Sequence, residues 1–147
     1  MTPDLIFTIA NNAVLPAWIL LAVAPGWKVT TWLVHSAAFS LAIAALYAVT
    51  IIPALGSAEG SMFTLAGVQQ LFSHPQAVLA GWLHYLAFDL FVGAWEVRNA
   101  RRLSIPHWQV LPCLFFTLML GPVGLLIYFV VRFLHGQRTV PADGSAG

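Results

Sequence analysis

Four long apolar stretches dominate this chain of 147 residues and limit it to folds that cross a lipid bilayer. A helix needs roughly 20 mostly apolar residues to span the hydrocarbon core. Four segments meet that requirement: Leu5–Ala24, Val29–Leu55, Gln76–Val97 and Trp108–Phe133. Charged residues make up only 7% of the chain, against about 25% in soluble domains. The sequence therefore predicts an all-α integral membrane protein, a bundle of four transmembrane helices.

The stretches between and after the spans predict the rest of the organisation. Residues 62–72, between spans two and three, are too short to cross, and their apolar side chains predict a short helix at the membrane interface. Within span four, Gly121-Pro122-Val123-Gly124 predicts a kink or a close-packing notch. No linker divides residues 1–135, which are expected to form one transmembrane domain. The polar residues 136–147 are expected to be a disordered tail.

The distribution of basic residues predicts the orientation. Four spans bring both termini to one side of the membrane, so the basic residues fall into two groups on opposite sides. The larger group contains Lys28, Arg98, Arg101 and Arg102, and the smaller one Arg132 and Arg138. The positive-inside rule places the larger group in the cytoplasm and both termini outside. The N-terminal residues lack the character of a signal or transit peptide, so the first span is expected to be retained.

Ionisable side chains inside the third span are candidate functional residues, because such groups are expensive to place in lipid. A helix turns by about 100° per residue. Trp82, Asp89 and Glu96, spaced by seven, therefore line one face, which Tyr85 flanks. His84 lies about 140° away from Asp89 on an ideal helix. The two can meet directly only if the helix deviates, and His84 otherwise addresses another partner.

Each polar residue has a structural and a functional interpretation. Asp89, near the middle of the span, is either a general acid kept neutral in an apolar site or a hydrogen-bonding partner of another helix. Glu96 is close to the basic residues 98–102, so an interfacial salt bridge competes with a role in a site. His84 and His35 are each either a packing or interface-level histidine or a site residue.

Polar and aromatic residues elsewhere extend the candidate site. Pro16 lacks an amide proton and therefore frees the backbone carbonyl of Asn12. The side chains of Asn11 and Asn12, with Pro16, either shape a polar indentation, or an asparagine joins two helices by a hydrogen bond. Trp82 and Phe88 are candidates for an aromatic wall against a long, flat, apolar ligand, although core packing is the ordinary role of a single aromatic residue.

The same residues decide what is expected of cofactors and partners. His35, His84, Asp89 and Glu96 supply the ligand types of a two-His carboxylate iron site, but their spacings match no metal motif. No cofactor is predicted, and a metal stays open. Cys113 is single, which excludes an internal disulfide. The formal net charge of +1 offers no basic patch for nucleic acid. The oligomeric state is not predicted.

Three motifs resemble the abscisic-acid-deficient-four family of membrane proteins. They are Asn12 with Pro16-Ala17-Trp18, then Pro25-Gly26-Trp27, and the string Trp82-Leu83-His84-Tyr85-Leu86-Ala87-Phe88-Asp89-Leu90-Phe91. The string, W-x-H-x-L-A-x-D-L-F, is the most specific of the three, and the similarity extends over residues 5–134 in the same order of spans. The chain lacks the plastid transit peptide of the plant members and so resembles the bacterial branch. That resemblance implies a multi-pass protein of a bacterial inner membrane.

The resemblance also implies an activity. Plant members are associated with neoxanthin synthesis, in which a 5,6-epoxide end group of a carotenoid becomes an allene with a tertiary alcohol. This isomerisation needs an acid at the epoxide oxygen and a base for the proton at C7. The resemblance makes Asp89 the candidate acid and His84 the candidate base, or a group that polarises Asp89 through a water. The expected residues that bind the carotenoid or related isoprenoid are Asn12, Trp18, His35, Trp82, Tyr85, Phe88 and Glu96.

Two other functions stay open at this point. A non-catalytic carotenoid- or lipid-binding protein, or an accessory subunit of a pathway enzyme, needs the same apolar groove but no acid–base pair. A proton or small-ion pathway would use Asp89 and Glu96. It would also need polar groups through the full depth of the membrane, where the rest of the stripe offers only Trp82 and Tyr85.

Overall fold

The computed structural model describes residues 2–57 and 60–136, without the side chains of residues 54–57. The described residues form helices and no strands, which agrees with the predicted all-α class. The predicted disordered tail lies outside the described residues except for Gly136. The helices are α1 (Pro3–Val23), α2 (Lys28–Thr30), a π-helical turn (Thr31–His35), α3 (Ala38–Ser57), α4 (Leu65–Leu71), α5 (Pro75–Arg102), α6 (His107–Leu120) and α7 (Pro122–Leu134).

Three helical stretches of the described chain are long and apolar enough to cross a membrane: Pro3–Val23, Lys28–Pro53 and Pro75–Arg102. They correspond to the first three predicted spans. The second is composed of α2, the π-helical turn and most of α3. It changes direction at Ala37, whose φ of 63° lies in the left-handed region that residues other than glycine seldom adopt.

Helix α5 lies at the centre of the bundle, and contacts along it give the directions of its neighbours. Its buried side chains recur along most of its length, and Leu83, Leu90 and Val97 have no exposed surface. In the contacts between α1 and α5, a higher residue number in α1 meets a higher number in α5, so these two helices run parallel. In the contacts between the second span and α5, a higher number in the span meets a lower number in α5, so these two run antiparallel. The contact pairs are Asn11–Trp82 and Trp18–Gly93 for α1, and His35–Arg98 and Tyr47–His84 for the second span.

The predicted fourth span, Trp108–Phe133, does not form one helix, and this part of the prediction needs correction. The chain is divided at Gly121 into α6 of 14 residues and α7 of 13 residues, each shorter than the roughly 20 residues that a crossing requires. Gly121 has φ 50° and ψ −100°, a conformation that glycine adopts without steric cost. Pro122 has no amide hydrogen with which to continue α6. The chain therefore turns at this point.

Helices α6 and α7 form an antiparallel hairpin that enters and leaves at the same end of the bundle. Near the turn, Gly124 packs so closely on Thr117 that a Cβ atom added to Gly124 would lie 2.1 Å from the Thr117 backbone nitrogen. At the open end, the start of α6 and the end of α7 line one common hollow. The tip, Gly121, lies beside Asp89, midway along the 28-residue α5. At about 1.5 Å per residue, α6 is about 21 Å long, so the hairpin covers about half of α5.

This arrangement changes the expected topology. Three long helices and a hairpin place Thr2 and Gly136 at opposite ends of the bundle. The sequence predicts both termini on one side because it predicts an even number of crossings. The described chain does not show an even number of crossings.

A short helix, α4, forms within the segment where an interfacial helix was predicted. Thr64 caps it, since its side-chain oxygen accepts a hydrogen bond from the Gly67 amide at 3.1 Å. At its other end, the Phe72 ring packs against Gly81 of α5. α4 is therefore attached to α5, and its location at the membrane interface stays a prediction.

Candidate functional site

The candidate acid and base, Asp89 and His84, line one hollow at the tip of the α6–α7 hairpin. The hollow has a volume of about 230 Å³. Helix α5 supplies one wall and the hairpin supplies the other. The remaining lining residues are Tyr85, Phe88, Val92, Gly121, Pro122 and Leu125. The two side chains thus reach the same space although their positions on the helix point them in different directions.

Asp89 lies half-buried beside the hairpin tip. A Cβ atom added to Gly121 would lie 2.9 Å from Oδ1 of Asp89, so the absence of a side chain at Gly121 leaves room for the carboxyl group. Asp89 accepts no hydrogen bond from any residue within 2–57 or 60–136. Since buried polar groups normally have hydrogen-bond partners, this carboxyl group is available to a ligand in the hollow.

His84 is held by aromatic contacts. Its ring stacks on Phe88, with centroids 4.6 Å apart and planes at 30°, and meets the edge of Tyr47 at 5.7 Å. Within the described part of the chain, neither imidazole nitrogen makes a hydrogen bond. His84 and Tyr85 also line a second hollow of about 440 Å³, which extends towards α4. The imidazole therefore lies between the two hollows.

Glu96 lies apart from the hollow, in the interior of the bundle. It has no exposed surface, and the hydroxyl group of Thr117 approaches its two carboxyl oxygens at 3.0 Å and 3.2 Å. Both Glu96 and Asp89 face the hairpin, which agrees with the single helix face that their spacing predicts. Glu96, however, is a buried residue that connects α5 to α6.

Trp82 and Asn12 do not reach the hollow. Trp82 donates its Nε1 hydrogen to Oδ1 of Asn11 at 3.3 Å and so faces α1, because the hairpin ends before it reaches this level of α5. Asn12 is exposed, and its Nδ2 donates to the backbone oxygen of Thr8 in its own helix at 2.7 Å. Of the two neighbouring asparagines considered for joining helices, Asn11 makes a contact between helices and Asn12 does not.

Trp18 and His35 also lie elsewhere. Trp18 is only 6% exposed and packs against Gly93, where a Cβ atom would approach its ring to 2.6 Å. His35 lies at the end of the bundle where α5 finishes. Its Nε2 is 2.9 Å from the backbone oxygen of Pro25, and its own backbone oxygen accepts a hydrogen bond from Arg98 at 2.9 Å.

The four residues named as metal-ligand candidates are not brought together. Among the residues that the structure describes, no three His, Cys, Asp or Glu side chains approach one another closely enough to hold a metal ion. His84 and Asp89 share the hollow, whereas His35 and Glu96 each have partners outside it.

Two neighbours of the acidic residues, Gly121 and Thr117, were not identified from the sequence. The available signal was the pair Gly121-Pro122, because proline cannot continue a helix and glycine accepts a positive φ. That signal is compatible with a kink as well as with a turn. Nothing in the spacing of Thr117 distinguishes it from other hydroxyl residues in apolar helices.

The chain is similar to proteins of one family. The profile described as ABA DEFICIENT 4-like matches residues 5–128. The chain is also 27% identical, over 144 residues, to Protein ABA DEFICIENT 4, chloroplastic, of Arabidopsis thaliana. That similarity covers 90% of this chain and 63% of the plant protein, so the chain spans less than two thirds of its relative's length. No solved structure matches.

Proposed function

This chain belongs to the ABA DEFICIENT 4-like family, and from that premise we propose that it is a membrane enzyme which isomerises an oxygenated carotenoid or related isoprenoid by acid–base chemistry. The observation that carries the proposal is the common hollow of His84 and Asp89. An acid and a base facing one space in an apolar bundle are the two groups that opening an epoxide end group requires.

The proposed reaction divides the chemistry between these two side chains. The carboxyl group of Asp89 gives a proton to the epoxide oxygen as the carbon–oxygen bond breaks, which produces the tertiary alcohol. The imidazole of His84 takes the proton from the adjacent vinylic carbon, and the electrons of that C–H bond form the allene. Return of the proton from His84 to Asp89 restores both groups. The substrate and product are isomers, and no oxidant or reductant is consumed.

The walls of the hollow suit an apolar ligand that arrives from the bilayer. Tyr85 and Phe88 are each 57% exposed, so in a membrane their rings face lipid tails. An isoprenoid chain can therefore pack against these rings while its oxygenated end group occupies the hollow. The proposed site contains Asp89, His84, Tyr85 and Phe88.

Other residues expected to bind substrate are left out of the proposed site, because their side chains have partners elsewhere. These are Asn12, Trp18, His35, Trp82 and Glu96.

The experiment is pigment analysis of a host that makes epoxy-carotenoids, with and without this protein. Asp89→Asn and His84→Ala are each expected to lower turnover by at least roughly 100-fold, the usual contribution of a general acid or base. Asp4→Asn and His135→Ala are matched controls, because both residues are exposed and lie outside the hollow. The controls are expected to keep full turnover.

Two results would overturn the proposal. One is full turnover by Asp89→Asn and His84→Ala proteins that insert into the membrane at wild-type levels. The other is a wild-type protein that co-purifies with a pigment whose mass and absorption spectrum are unchanged, which would identify a carotenoid-binding protein without catalysis.

A further inference from the structure

The positive charges of the bundle gather at one end. Five of the six Lys and Arg residues of the chain lie in the described segments, where α1 meets α2, where α5 ends and where α7 ends. They are Lys28, Arg98, Arg101, Arg102 and Arg132. The same end carries the exposed indoles of Trp27, Trp32 and Trp108. Tryptophan together with basic residues at one level is typical of the boundary between membrane and water.

Two of these arginines are fixed by backbone carbonyl groups. Nη1 of Arg98 donates to the backbone oxygen of His35 at 2.9 Å. Nη1 of Arg101 donates to the backbone oxygen of Pro25 at 3.3 Å. These contacts attach the end of α5 to the second span and to the loop before it. They hold the guanidinium groups in place without neutralising their charge.

Within the described chain, Lys28, Arg98, Arg101 and Arg102 form no salt bridge with an acidic side chain. The three described acidic residues lie elsewhere: Asp4 at the start of α1, Asp89 midway along α5, and Glu96 buried against α6. Arg98 and Arg102 are four residues apart on one helix face, where like charges repel. A bound anion at this end would relieve that repulsion.

The loop before α2 leaves space beside Arg101. The nearest atom to a Cβ placed on Gly26 would be Nη2 of Arg101, at 3.9 Å. Nη2 of Arg101 therefore borders an open space beside Gly26. Lys28, two residues after Gly26, and Arg102, next to Arg101 in the chain, are also exposed. We call Gly26, Lys28, Arg101 and Arg102 the basic site.

We propose that the basic site binds the phosphate of an anionic phospholipid headgroup in the cytoplasmic leaflet. Guanidinium groups match phosphate geometry through paired N–H donors, and juxtamembrane basic residues attract anionic lipid. The positive-inside rule places this end of the bundle in the cytoplasm. The indoles at the same level keep the site at headgroup depth, so the phosphate it meets belongs to a lipid.

The experiment measures which lipids surround the full-length protein in vesicles. Brominated phosphatidylglycerol or brominated phosphatidylcholine is mixed with the unbrominated lipids, and quenching of tryptophan fluorescence gives the relative association of the two. Wild-type protein is expected to prefer phosphatidylglycerol. Arg102→Gln, at an exposed position with no hydrogen bond to another described residue, is expected to lower that preference roughly fivefold. Arg101→Gln combined with Arg102→Gln is expected to abolish it.

Two controls separate this site from general charge effects. Asp4→Asn changes the net charge at the opposite end and is expected to leave the preference unchanged. Millimolar inorganic phosphate is expected not to compete, since the site takes a lipid headgroup. The proposal is overturned if wild-type protein and the Arg102→Gln variant show equal preferences. It is also overturned if soluble phosphate alone removes the preference, because the site would then take free anions.

Discussion

Replacement of Gly124 by alanine tests the α6–α7 hairpin, because a hairpin and a continuous helix predict changes of opposite sign in the free energy of unfolding. In the hairpin, the new Cβ atom would lie 2.1 Å from both the backbone nitrogen and Oγ1 of Thr117, and 2.5 Å from its Cα. These are mainly backbone atoms, which cannot rotate away as a flexible side chain can, so the two helices must separate. Overpacking of this kind typically costs about 1–3 kcal/mol.

The same substitution disturbs a second interaction. The hydroxyl group of Thr117 donates to Glu96, which is fully buried. Displacement of Thr117 leaves that carboxyl group without its donor, at a cost of roughly 1–3 kcal/mol. The combined loss in the free energy of unfolding is therefore about 2–6 kcal/mol. At about 2–4 °C per kcal/mol for a chain of this size, Tm is expected to fall by about 4–24 °C.

Thermal unfolding of the purified protein in detergent, followed by tryptophan fluorescence, measures this loss. Gly26→Ala is the matched control, because a Cβ atom there meets nothing closer than 3.9 Å. If residues 108–134 formed one continuous helix, Gly124→Ala would stabilise the protein by roughly 1 kcal/mol, since alanine is the better helix former. A Gly124→Ala protein that is at least as stable as Gly26→Ala therefore refutes the hairpin.

Other consequences of the structure can be measured separately. Reporters fused to the two ends of the chain are expected on opposite faces of the membrane, with the C-terminal reporter in the cytoplasm; two reporters on one face would contradict three crossings and a hairpin. Thr117→Val is expected to lower the free energy of unfolding by about 1–3 kcal/mol, whereas Thr117→Ser keeps the hydroxyl group that meets Glu96 and should restore most of the loss. Trp82→Phe removes the hydrogen bond to Asn11 and is expected to cost less than about 1.5 kcal/mol. The same variant should leave pigment turnover unchanged. A fall in turnover of more than about tenfold, or 1.4 kcal/mol, would show that Trp82 belongs to the site.

The first three spans could be predicted from the sequence because their signal is local. Whether a stretch can cross a bilayer depends mainly on its length and apolar content, and both are read directly from the chain. Gln76–Val97 was predicted for the third span, and α5 extends it to Pro75–Arg102. The added residues at the C-terminal end are three arginines, an asparagine and an alanine, which continue the helix beyond the apolar stretch.

The shared face of Asp89 and Glu96 was also predictable, because helical periodicity is a property of one helix. What covers that face depends on other helices. Glu96 meets Thr117 and Asp89 meets Gly121, whereas Trp82, on the same stripe, meets Asn11 of α1. The length of the hairpin decides this difference, and no property of α5 encodes it.

The division of the fourth span could not be predicted because hydropathy is the same for one crossing helix and for two antiparallel half-helices. The turn at Gly121 depends on the close packing of Gly124 on Thr117, and Thr117 in turn depends on its contact with Glu96. These contacts join residues distant in sequence. They favour a turn over the kink that Gly121-Pro122 by itself would equally allow.

The short hairpin is also what creates the candidate site. A fourth helix that crossed the whole membrane would continue past Gly121 and cover α5 down to the level of Trp82, so that His84 and Asp89 would face another helix. Because α6 ends beside Asp89, this stretch of α5 keeps Tyr85 and Phe88 largely exposed. An apolar ligand can then approach the carboxyl group sideways from the lipid, without a channel through the bundle. The break in the fourth span and the accessibility of Asp89 are therefore one structural feature, and a variant that straightened the hairpin into a single helix would be expected to close the site.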